Sequence, residues 1–120
     1  MTAGTSYQQV SISTSDPGSL VVQLFDGAGR FIARARKALA AGDQPTFAYS
    51  LSRAHAIVAE LSNVLDRDTG GDVARGLGAL YDFSLRRLTE GLIQKSDRHL
   101  AEVAGILATL REAFDGARRV

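Results

Sequence analysis

From Leu20 onward, apolar residues recur every three or four positions, the spacing that gathers side chains on one face of an α-helix. Leu20, Leu24, Phe31 and Ala35, flanked by Val21, Phe25, Ala28, Ile32 and Leu39, form a wide first stripe. Phe47, Leu51, Ala54, Val58, Leu61 and Leu65 alternate by four and three as a second. Val73, Leu77, Leu80, Tyr81, Leu88 and Leu92 mark a third, and Leu100, Val103, Leu107, Leu110 and Phe114 a fourth. No alternation of period two persists over a strand length, so the pattern predicts an all-α chain.

The residues between the stripes carry start and stop signals. Asp16-Pro17 opens the first helix, because a carboxylate can accept the free amide hydrogens of a first turn and proline brings the right φ where no donor is needed. Gly42 stops it, Asp43 with Pro45 opens the second, Gly70-Gly71-Asp72 breaks the chain again, and Ser96-Asp97 opens a fourth helix that runs to Gly116. The expected helices cover about 17–41, 45–66, 72–94 and 97–116. Connections of a few residues force sequence neighbours to lie antiparallel. The predicted architecture is therefore an antiparallel up-down four-helix bundle, one domain over 16–120, preceded by an arm or short extra helix over 1–15 in which Tyr7, Val10 and Ile12 are the apolar positions.

Composition narrows the function. Hydrophobic residues make up 45% and charged residues 22% of the 120, a globular balance rather than a disordered one. No window approaches a membrane span, and the N-terminus MTAGTSYQQV lacks the basic and apolar regions of a signal peptide, so the chain is expected in the cytoplasm without membrane insertion. Cysteine is absent, which removes disulfides, thiolate metal sites and cysteine nucleophiles. A formal charge of +1 with no long basic run argues against a nucleic-acid partner. Gly27, Gly29, Gly76, Gly78, Gly91 and Gly105 fall inside helical patterns at a cost of about 1 kcal/mol each relative to alanine. They imply either close helix packing or a groove floored by backbone.

Candidate chemistry is sparse. His55 on the second helix raises a histidine phosphotransfer module, but Val58 and Ala59 stand where such a module places a Lys and a Gly around the phosphate. His99 and Glu102 have the i, i+3 spacing of bundle metal ligands, yet the other glutamates, Glu60, Glu90 and Glu112, do not supply a second such pair. No Gly-x-Ser-x-Gly turn or phosphate-cradling loop occurs. These readings predict no enzyme, no metal and no cofactor. Asp26 and Arg30, and likewise Asp82 and Arg86, are spaced to pair across one helical turn.

Thr14-Ser15-Asp16-Pro17-Gly18-Ser19-Leu20 followed by Leu24-Phe25-Asp26-Gly27-Ala28 is similar to the Thr-Ala-x-Pro-x-Glu-Leu and Leu-Tyr-Asp-Gly pattern of the flagellin export chaperone family, FliS. Ala54 to Leu61 with Leu65-Asp66, Gly70 to Ala74, Leu80 to Phe83, Asp97 and Leu100 to Val103 follow in the family's order, so the resemblance spans nearly the whole chain. Phe25 replaces the usual Tyr, Ser19 the usual Glu, Gln23 and Gly29 stand at positions where larger apolar residues are common, and Phe114 stands where Trp is frequent. The resemblance implies a cytoplasmic chaperone that binds the C-terminal region of flagellin, prevents its premature polymerisation and delivers it to the flagellar type III export apparatus. Export gate components or an anti-sigma factor are further partners it suggests. Ile57 and Val64, off the second seam, Leu77 and Tyr81, which share one side of the third helix, and Phe25 are the expected groove, with Tyr7, Val10 and Ile12 of the arm lying over it until a partner displaces them. A structural bundle that self-associates through a spare apolar face is the alternative without a flagellar partner.

Overall fold

A computed structural model describes residues 17–118 of the chain. Four helices follow one another: α1 (Pro17–Ala41), α2 (Gln44–Asn63), α3 (Gly71–Gln94) and α4 (Asp97–Arg118). Each packs on its sequence neighbours and α4 closes against α1, so the four form a ring in which diagonal backbones stay apart. This is the up-down bundle that the short connections require.

The boundaries follow from local chemistry. At the end of α1, Gly42 takes φ +73° and the Asp43 amide donates to the Ala38 carbonyl at 2.9 Å, satisfying an orphan acceptor of the last turn. The Asp43 carboxylate accepts the Thr46 amide hydrogen at 3.2 Å and caps α2, with Pro45 in the first turn. The Thr46 hydroxyl, and after it this amide, hold the Asp43 carboxyl below its ordinary pKa. α2 ends at Asn63 rather than near Asp66 as the apolar pattern predicts. The Asp66 carboxylate accepts the Asp68 and Thr69 amides and the Thr69 hydroxyl, a local bonding pattern that competes with another helical turn. α4 runs through Gly116 instead of stopping there. Gly116 avoids the left-handed φ that makes Gly42 a stop, and the Arg111–Asp115 pair at 3.6 Å spans the last turns.

The core is built from large residues opposed by small ones. Ile32, Phe47, Leu51, Val58, Leu61, Leu88, Leu100, Val103 and Leu107 are buried together with Ala28, Ala35 and Ala54. Alanines facing larger side chains let α1 and α2 approach closely. Gly91 does the same between α3 and α4, since a Cβ there would sit 2.6 Å from Leu100 Cδ1. Close packing therefore accounts for Gly91, while Gly29, Gly76 and Gly105 have no atom of the described residues within 4 Å of that position.

Ion pairs form within single helices and also tie separate elements together. Arg36 donates to both oxygens of Asp97, at 2.7 and 3.1 Å, joining α1 to the start of α4. Arg87 reaches Glu102 at 2.6 Å between α3 and α4. Asp26 does not pair with Arg30 as its spacing predicts: Arg111 of α4 takes it at 3.0 Å. Asp82 pairs with Arg67 at 3.7 Å rather than with Arg86. In both cases a cation from another element reaches the carboxylate, and spacing along one helix cannot reveal it.

Candidate functional site

The antiparallel order brings the starts of α1 and α3 and the ends of α2 and α4 to one end of the bundle. There the apolar stripes leave a groove of about 540 Å³. Val21 and Phe25 line it from α1, Leu61, Val64 and Leu65 from α2 and its exit, Val73, Leu77, Leu80 and Tyr81 from α3, and Leu110, Ala113 and Phe114 from α4. Asp66 is the one charged lining residue among those described.

An aromatic group forms its floor. The Phe25 ring lies 6.4 Å from that of Tyr81 and 6.4 Å from that of Phe114, tilted by 44° and 47°, within the range of favourable edge and offset ring packing. Tyr81 is only 3% exposed, and burial pushes its phenol up to about 12 because the phenolate would lose its hydration. The rim is open: Val64 is 52% exposed, Val73 81% and Leu80 39%. A set of large aliphatic side chains in water beside a buried aromatic floor is a surface built to be covered.

Phe25, Val64, Leu77 and Tyr81 are thus brought together in this groove. Ile57 is not: it lies on the α1–α2 face, with its Cδ1 3.4 Å from where a Cβ on Gly27 would be. Tyr7, Val10 and Ile12 lie outside the described residues. Val21, Leu61, Leu65, Val73, Leu80, Leu110 and Phe114 also line the groove although the pattern places most of them on seams. The signal that finds them is level rather than phase, since all stand near the same end of antiparallel helices.

His55 is half-buried in a shallow cleft with Leu51, Ser52, Leu88 and Thr89. Val58, three residues on, is fully buried where a phosphotransfer module places a Lys. His99 Nδ1 lies 2.7 Å from the Ser96 hydroxyl and Glu102 is engaged by Arg87, so the two are committed to different neighbours. No cluster of three His, Cys, Asp or Glu able to hold a metal occurs among the described residues. None of the described helices is long and apolar enough to cross a membrane.

Fold and groove together define the class: an all-α bundle with an apolar groove open across one end. Comparison with known proteins makes this particular. The family described as Flagellar protein FliS matches residues 1–120, and the chain belongs to that family. It is 34% identical over 113 residues to the flagellar secretion chaperone FliS of Bacillus subtilis, covering 94% of this chain and 84% of the relative. Against the Salmonella typhimurium protein of the same description it is 35% identical, covering 90% and 84%. The flagellar secretion chaperone FliSB of Pseudomonas aeruginosa is 32% identical over 120 residues, covering 97% and 95%.

Proposed function

We propose that this protein is a cytoplasmic chaperone whose end groove binds the C-terminal segment of flagellin, prevents its premature polymerisation and carries it to the flagellar export apparatus. The observation that carries this reading is the groove itself, whose described lining is apolar residues from all four helices and the exit of α2, Phe25, Tyr81 and Phe114 among them, with Asp66. Membership of a family whose relatives are named flagellar secretion chaperones supports the choice of substrate. A flagellin terminus awaiting assembly has an apolar face without its filament neighbours, and a groove of this kind shelters it. At about 25 cal/mol per Å² of apolar surface, binding needs no chemical energy source, and ordering of the segment offsets part of the gain so that release stays accessible.

Calorimetry with a flagellin C-terminal peptide is expected to give one-to-one binding with a negative heat-capacity change. Val73→Asp, exposed on the rim, should weaken it at least about tenfold with the melting curve preserved. Unchanged affinity in that variant would remove the groove from the proposal. The reading extends to Tyr7, Val10 and Ile12 as a displaceable cover, and deletion of residues 1–15 is then expected to tighten peptide binding. Export gate components and an anti-sigma factor remain further partners within the same proposal.

A further inference from the structure

A second surface, two helical turns from the groove, has different chemistry. On the outer face of α1 and α2 the Phe31 ring carries the Arg34 guanidinium at 5.3 Å from one helix and the Arg53 guanidinium at 5.8 Å from the other. Tyr49, 59% exposed, meets the same ring edge-on with centroids 6.4 Å apart. Two like charges are held over one ring, and no carboxylate pairs with Arg30, Arg34, Lys37 or Arg53 among the described residues. The sequence shows why. From Gly27 to Ala59 there are five Lys and Arg and a single acid, Asp43, whose carboxylate is occupied in capping α2. A chain of net charge +1 therefore concentrates its positive charge on this one hairpin.

We propose that this face binds an acidic polypeptide segment, with an aromatic or aliphatic side chain laid on Phe31 and Tyr49 and flanking Asp or Glu carboxylates taken by Arg34 and Arg53. Guanidinium forks bond carboxylates bidentately, and a partner's carboxylate relieves the repulsion between the two cations. The ring contacts hold both forks in place before binding, so less side-chain freedom is lost when they engage. The patch is short: Asp43 stands at one end and Glu60, seven residues beyond Arg53, at the other. That length suits a few carboxylates around one anchor rather than a tracked phosphate backbone or a lipid surface.

Fluorescence anisotropy with a labelled synthetic peptide of Asp and Glu around a central Phe tests this on the full chain. Binding should be at least about tenfold tighter than for the same peptide with Lys in place of the acids, and should weaken steeply with added salt. Arg34→Gln/Arg53→Gln should abolish the preference, whereas Arg98→Gln, an exposed cation on α4, should leave it unchanged. Phe31→Leu should weaken the Phe-centred peptide several-fold and leave an all-Glu peptide unaffected. Circular dichroism melts confirm that each variant is folded, and the groove variant Val73→Asp should bind the acidic peptide as the native chain does, which separates this site from the flagellin reading. Equal binding of the acidic and basic peptides overturns the proposal, as does an equal loss in Arg98→Gln. Tighter binding of single-stranded DNA or of anionic vesicles through the same arginines overturns it too.

Discussion

Where α1 turns into α2 and α3 into α4, Tyr49 and Ile93 stand in water singly over a buried set of Ala35, Phe47, Leu51, Leu88 and Leu100; at the other end Val64, Val73 and Leu80 stand in water around one shared groove. Both ends use apolar residues at helical spacing. They differ in what opposes each large side chain. Leu100 lies over Gly91, buried Ala35 and Ala38 supply small surfaces toward the end of α1, and tight loops finish the turn end. At the groove end large residues meet large residues, Phe25 against Tyr81 and Phe114, and the aliphatic rim stays exposed. The turn end is therefore expected to carry more of the stability than the groove rim, where the proposed binding takes place.

The strongest way to break this contrast is one substitution made at both ends. Leu100→Ala removes a fully buried side chain and is expected to cost about 3 kcal/mol by chemical denaturation, whereas Leu80→Ala should cost under about 1 kcal/mol and act mainly on peptide affinity. Similar losses at the two sites would mean that the groove belongs to the core. Next come two glycines of α3. Gly76→Ala should stabilise by about 1 kcal/mol, because its added methyl meets nothing within 4 Å; Gly91→Ala should destabilise by about 1 kcal/mol, because its methyl meets the buried Leu100. Thermal melts read the opposite signs directly.

Lys95 closes α3 in the left-handed conformation at φ +54°, with the Ser96 amide donating to the Gly91 carbonyl at 3.1 Å. Glycine adopts that conformation without the Cβ penalty, so Lys95→Gly should raise stability by about 1 kcal/mol, less the entropy gained by its unfolded chain. The smallest effect belongs to the Arg36–Asp97 pair beside this turn. The Asp97 carboxyl is held below its ordinary 3.8 by the hydrogen bond from Arg36. A depressed carboxylate stabilises the fold above its unfolded pKa, and the contribution disappears as pH falls through the lower folded value. Asp97→Asn should cost about 0.5 kcal/mol near neutral pH, and the difference from the native chain should vanish in acid and shrink in high salt.

Much of this was legible in the residue order. The Gly42 stop and the Asp43 cap depend on bonds within a few residues, so their signals sit next to their effects. The early end of α2 was not, because the Asp66 turn competes with a helical pattern that Leu65 continues. Phe25, Val64, Leu77 and Tyr81 were recognisable as positions off or beside the seams, but only the bundle shows that they share one end with Val73 and Phe114 and that Ile57 does not.

The open apolar groove thus has two origins. Periodicity and capping by themselves determined four helices, their antiparallel order and a surplus of apolar positions, since each is governed by spacing along one chain. The tertiary structure alone decided which surplus residues meet. Asp26 finds Arg111 and Phe25 finds Tyr81 because rotation and level of separate helices are set by which side chains fit against which across the core, and sequence spacing contains no measure of that fit.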